Sequence, residues 1–202
     1  MRSKTRVYVE IGGKRTFASA ADWPGWSRSG KDEQSALDNL AAYAPRYARV
    51  TKLAKIELPE DATSFNVIER LNGGASTDFG VPGMPAKNEE RPLTRAEAER
   101  MLALMDACWE YLERVVARAP AELRKGPRGG GRDRDAIRDH VLGAEVEYGK
   151  RIGLRLKEPD RKALRKAFAS ANQDAKWPVP YAMRRTAWHA LDHAWEIEDR
   201  IP

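Results

Sequence analysis

The chain has 202 residues, 42% of them hydrophobic, enough to bury one good core or two small ones. Its formal charge is +6, but basic and acidic residues are interleaved, so no basic pole or stripe marks a nucleic-acid surface. A run of about 18 or more uncharged apolar residues, the sign of a membrane span, is absent. The basic start over residues 1–6 leads into charged, glycine-containing sequence instead of an apolar signal core, and the single cysteine, Cys108, excludes an internal disulfide framework. A cytoplasmic protein is expected.

Residues 6–11 and 14–20 alternate in the manner of two strands, and Gly12-Gly13 between them is a hairpin signal. Asp22-Trp23-Pro24-Gly25-Trp26 then reads as a turn. Asp32 is placed to cap a helix whose apolar positions Ala36, Leu37, Leu40, Ala41 and Ala44 fit a period near 3.6. Pro45 kinks or restarts it, with a continuation through Tyr47, Val50 and Leu53. Residues 64–71 predict a third strand. These elements make a small α+β domain over residues 1–72. Residues 73–93 are rich in glycine and proline, as in Pro82-Gly83-Met84-Pro85, and predict a linker or surface loop.

Beyond it the period becomes helical. Thr94-Arg95-Ala96-Glu97 has the form of a capping box, and Leu102, Met105, Trp109, Leu112 and Val116 recur at three- and four-residue steps. Helices are predicted over 95–119, 133–156, 159–172 and 181–200. Cys108 falls in the middle of the first, where a buried structural thiol is expected. Short connections suggest an all-α, up-down-up-down four-helix bundle over residues 94–202.

All three histidines of the chain lie on these helices. His189 and His193 are four apart, so a helix stacks both imidazoles on one face. His140 lies on the second helix of the bundle. In an up-down-up-down order the second and fourth helices start at the same end. His140 then stands roughly 10 Å along its helix, and His189 and His193 roughly 12 and 18 Å along theirs, close enough to converge. Three neutral imidazoles with open coordination positions are a suitable set for catalytic zinc or nickel.

One histidine on the second helix, in the run Asp139-His140-Val141-Leu142-Gly143-Ala144-Glu145, and His189-Ala190-Leu191-Asp192-His193 on the fourth resemble the DinB-like family of metal-binding four-helix bundles. The resemblance covers about residues 94–202. It implies a divalent metal, zinc or nickel, bound by His140, His189 and His193. Characterised members include thiol S-transferases and a mycothiol-dependent isomerase, so a low-molecular-weight thiol is an implied cofactor. The N-terminal domain is similar to a HicB-like antitoxin domain, in the run from Phe17 to Trp26 and the helix around Ser35-Ala36-Leu37-Asp38-Asn39-Leu40. No DNA-binding helix-turn-helix is attached to it.

Glu196, three residues after His193, and Glu147, seven after His140, are candidate catalytic carboxylates: each could orient a ligand or act as general base, or be an ordinary ion-paired helix residue. Arg128 and Arg132 flank a glycine loop leading towards His140 and are candidate binders of an anionic group, though the loop lacks the ending of a P-loop. Trp177, Pro178, Pro180 and Tyr181 could wall a pocket. The expectation is a metal-dependent thiol S-transferase or hydrolase acting on a small-molecule substrate. The alternative is a non-catalytic module with a structural metal and a partner- or RNA-binding N-terminal domain. A homodimer and nucleic acid stay open as partners, and a membrane does not.

Overall fold

In the computed structural model residues 4–126, 130–170 and 175–202 are described. The architecture is mixed: a four-stranded sheet in the N-terminal part, followed mostly by helices. Strands β1 (Thr5–Ile11) and β2 (Thr16–Ala20) pair antiparallel around the Gly12-Gly13 turn, with Ile11 opposite Thr16 and Val7 opposite Ala20. An added Cβ at Gly12 would come within 2.4 Å of Asp78 Oδ1, which accepts the Lys14 amide at 2.7 Å, so that carboxylate would have to move. Strand β4 (Phe65–Asn72) lies parallel to β1 on its other side. Sequence periodicity gave no strand over β3 (Ser27–Gly30), a short polar segment held by its pairing to β2 and by the 2.6 Å contact between the Ser19 and Ser27 hydroxyls.

The crossover from β2 and β3 back to β4 is helical. Asp32 caps α1 (Glu33–Ala42) by accepting the Ser35 amide at 2.7 Å. Pro45 sits in the first turn of α2 (Ala44–Leu53), so it starts a new helix; inside a continuous one it would remove a hydrogen bond and clash with the preceding turn. Trp26 donates from Nε1 to Leu40 O at 2.8 Å and stacks on Tyr47, whose hydroxyl donates to Pro24 O at 2.9 Å. The turn is thereby pushed into the helical half of the molecule. Gly25, at φ +92, has no room for a Cβ, which would lie 2.7 Å from Leu191 and 3.0 Å from Cys108 Sγ.

The helices are α3 (Ala75–Phe79), α4 (Arg95–Arg118), α5 (Arg134–Arg151), α6 (Arg161–Ala169) and α7 (Val179–Asp199). The Thr94–Glu97 capping box forms in both directions. The outer part of the predicted 159–172 helix falls partly on residues outside the described ones. One cluster of buried side chains runs through both halves, from Val7, Leu40 and Tyr47 to Met105, Leu112, Ala187 and Leu191. Residues 73–93, expected as a linker, are pinned at several points. The Glu10 carboxylate accepts the Thr77 hydroxyl and the Gly83 and Met84 amides, and Glu89 bonds to Arg184 of α7. No helix among the described residues is long and apolar enough to cross a membrane.

The expected up-down-up-down order is corrected by the helix contacts. Arg134, at the start of α5, donates to Ala119 O at the end of α4, so these two helices are antiparallel. After α5 the chain doubles back, and Arg161, at the start of α6, bridges Glu145 and Glu113. Arg165 then reaches Asp106, so α6 descends alongside α5 instead of reversing it. Helix α7 begins where α5 ends, with the Trp177 amide on Arg151 O at 3.1 Å, and so runs antiparallel to α5. Sequence alone took each connection as a reversal; the loop between α5 and α6 is a return stroke.

Candidate metal centre

The antiparallel pairing of α5 and α7 brings the histidines together by a different register from the one expected. His140 lies as far past Arg134, the first residue of α5, as His193 lies before Asp199, the last of α7. The His140 ring is 5.1 Å from that of His189 and 5.0 Å from that of His193, and the last two are 4.7 Å apart. Ligand atoms of the three imidazoles all lie within 4.8 Å of one another, close enough to hold a metal ion.

Each ring meets a different environment. His193 Nδ1 is 2.7 Å from Glu196 Oε2, and the other oxygen of Glu196 accepts Arg200 Nη1 at 2.7 Å. This chain of bonds fixes the His193 ring and leaves its Nε2 for a ligand role. The bond to His193 is also the main cause that holds the Glu196 carboxyl below the usual range. His189 is 7% exposed, and its Nδ1 is buried with no hydrogen-bond partner among the described residues. Such an atom is rare, because an unmade buried hydrogen bond is costly. It fits a site completed by a group the protein alone does not supply.

Electrostatics favour the neutral form of His189 and His140. Burial, then the nearby charges of His193 and Arg185, push His189 well below the ordinary histidine value. Burial, His193 and Arg132 push His140 down as well. A neutral imidazole is the form that ligates, so protons are weakened as competitors for these nitrogens. His140 is exposed and keeps the cluster open to solvent on one side.

Aromatic rings continue the site towards the start of α7. Tyr148 lies 5.8 Å from His189 and 5.4 Å from Trp177, which in turn is 5.0 Å from Tyr181. Burial raises the Tyr148 phenol above its ordinary value. Trp177 and Tyr181 pack ring on ring and connect to the histidines through Tyr148, a residue that sequence reasoning did not single out. It also passed over Arg185, although Arg185 precedes His189 by the same four-residue step that separates the two histidines.

The other candidates are placed less closely. Glu196 touches His193, whereas exposed Glu147 pairs with Lys150 along α5. Arg132 is exposed, and its charge is felt by His140 and His189. Arg128 lies outside the described residues. Cys108 is fully buried, which pushes its thiol up and leaves it out of the chemistry. No protein-family model, curated protein or solved structure matches the chain, so any functional assignment stands on these residues.

Proposed function

We propose that the chain is a metal-dependent enzyme of the thiol-transferase or hydrolase kind, in which His140, His189 and His193 hold a zinc or nickel ion. In this reading α4–α7 form a DinB-like helical unit, and the HicB-like sheet domain is a scaffold for α7. The observation that carries it is the convergence of three imidazoles, one of them buried with an Nδ1 that has no partner among the described residues. A divalent ion held there supplies Lewis acidity and makes a thiol or water in its open positions easier to deprotonate near neutral pH.

The chain's own residues do the rest. His189 and His140 are kept neutral by their surroundings, and Glu196, anchored by Arg200, sets the direction of His193. Tyr148 excludes water from one side of His189, and Arg132 places positive charge near the mouth. The exposure of His140 favours this reading over a non-catalytic module, since a structural ion is closed by a fourth protein ligand. The test is elemental analysis of purified protein beside His189→Ala, followed by turnover of thiol-conjugation and hydrolysis substrates. Near-stoichiometric zinc or nickel, lost in the variant together with turnover, is expected. Protein that takes up no ion on reconstitution, or turns over equally without it, overturns the proposal.

A further inference from the structure

Arg185 lies one helical turn before His189 on α7, on the same side of the helix. It is 8% exposed, and its Nη1 is sealed from solvent with no acceptor among the described residues. No carboxylate among those residues pairs with it. Its guanidinium rests against two rings, with Cζ 4.6 Å from the centre of Trp188 and 5.4 Å from that of Tyr148. The indole N–H of Trp188 is also buried without a partner among those residues.

Aromatic faces attract a cation but do not supply the acceptors its N–H groups require. A guanidinium held almost out of water with no anion is strongly unfavourable unless something completes it. Tyr148 touches both Arg185 and His189, so the unmet donors and the histidine cluster share one wall. A planar guanidinium with an unmet donor matches a planar, two-oxygen acceptor.

We infer that Arg185 is the docking point for a carboxylate of the substrate, whose reacting end lies about one helical turn away at the histidine cluster. The inference rests on the metal-enzyme reading for the second half of that statement only. It narrows the substrate to a small carboxylic acid, short enough that a few bonds separate the carboxylate from the thiol or the bond to be cleaved. Arg185 is then the residue that sets specificity, and Arg132 at the mouth is a guide for the incoming anion.

Calorimetric titration of 3-mercaptopropionate and of its neutral counterpart 3-mercaptopropanol, each into zinc-free and zinc-loaded protein, separates the two claims. The carboxylate is expected to bind at least about tenfold more tightly than the alcohol in both forms, the scale of one charge-assisted hydrogen-bond pair. That preference is expected to vanish in Arg185→Met and to be partly kept in Arg185→Lys, each checked for native circular dichroism. Tighter binding of both thiols on zinc addition reports the metal separately. A carboxylate preference without any zinc effect leaves the Arg185 site standing and removes the metal reading. Equal affinity for the two compounds, no binding of either, or a preference that survives in Arg185→Met overturns the Arg185 site, whatever zinc does.

Discussion

Arg184 and Arg185 are consecutive residues of one helix, 3% and 8% exposed, and they meet opposite surroundings. Arg184 bonds through Nε and Nη2 to both oxygens of Glu89, at 2.6 and 2.9 Å, and Nη2 also reaches Met84 O at 3.0 Å. Arg185 has aromatic neighbours and a buried nitrogen with no acceptor among the described residues. The first pair ties residues 84–89 to α7 and closes the charge within the fold. The second faces the side of α7 that carries His189 and His193, and the fold leaves it open. Burial alone therefore does not distinguish the two arginines. Completeness of pairing does.

Breaking the closed side has the largest expected consequence. Glu89→Ala strands the Arg184 charge, and loss of one partner of a buried pair costs roughly 3–5 kcal/mol. Urea unfolding that moves by less than about 1 kcal/mol would show that the pair does not hold residues 84–89 to α7. Next in size is Glu196→Ala, which frees the His193 ring. Metal affinity should drop about 10- to 100-fold, as losses of ligand-orienting partners do, with little change in metal-free stability. Competition with a chromogenic chelator reads this directly. Arg185→Met should change stability by no more than about 1 kcal/mol in either direction, because lost cation–π contacts offset the relief of an unpaired charge. A loss as large as that of Glu89→Ala would mean that the two arginines are equivalent after all.

Why was one side of this contrast legible in the sequence and the other not? The histidines were found because a four-residue step on a helix leaves little doubt about which face two side chains share. The same step extended back to Arg185, but an arginine on a helix is ordinarily a solvated charge, and only its lack of a partner among the described residues gives it meaning. That absence is a tertiary fact. Helix α4, the Thr94 cap and the first hairpin could be read from period and turn chemistry. Strand β3 could not, since Ser27–Gly30 is made a strand by β2 alone. The helix order was missed for a related reason: nothing local announces that Arg161 will turn back to Glu145 and Glu113. Glu10 and Glu89 also escaped notice, because their partners Thr77, Gly83, Met84 and Arg184 are remote in sequence.

The smallest expected effect acts through protons, and it touches only the open side. Arg184 stays charged at all ordinary pH, held by Glu89. His189 is different, because its folded value is pushed well below 6.5 by burial and by neighbouring positive charge. In the unfolded chain the ring titrates near 6.5. Above that pH the ring is neutral in both states, so the full stability is present. As pH falls below it, the unfolded chain gains a proton that the native ring refuses, and stability is lost. For metal-free protein His189 therefore makes stability fall as pH drops from 7.5 towards 6.0. His189→Leu should remove that portion of the slope, and the His189 imidazole should remain neutral by NMR at pH 6.0. A ring that protonates near 6.5 in the native protein would show that the site is wetter than its packing implies, and that its orphaned nitrogen is served by water.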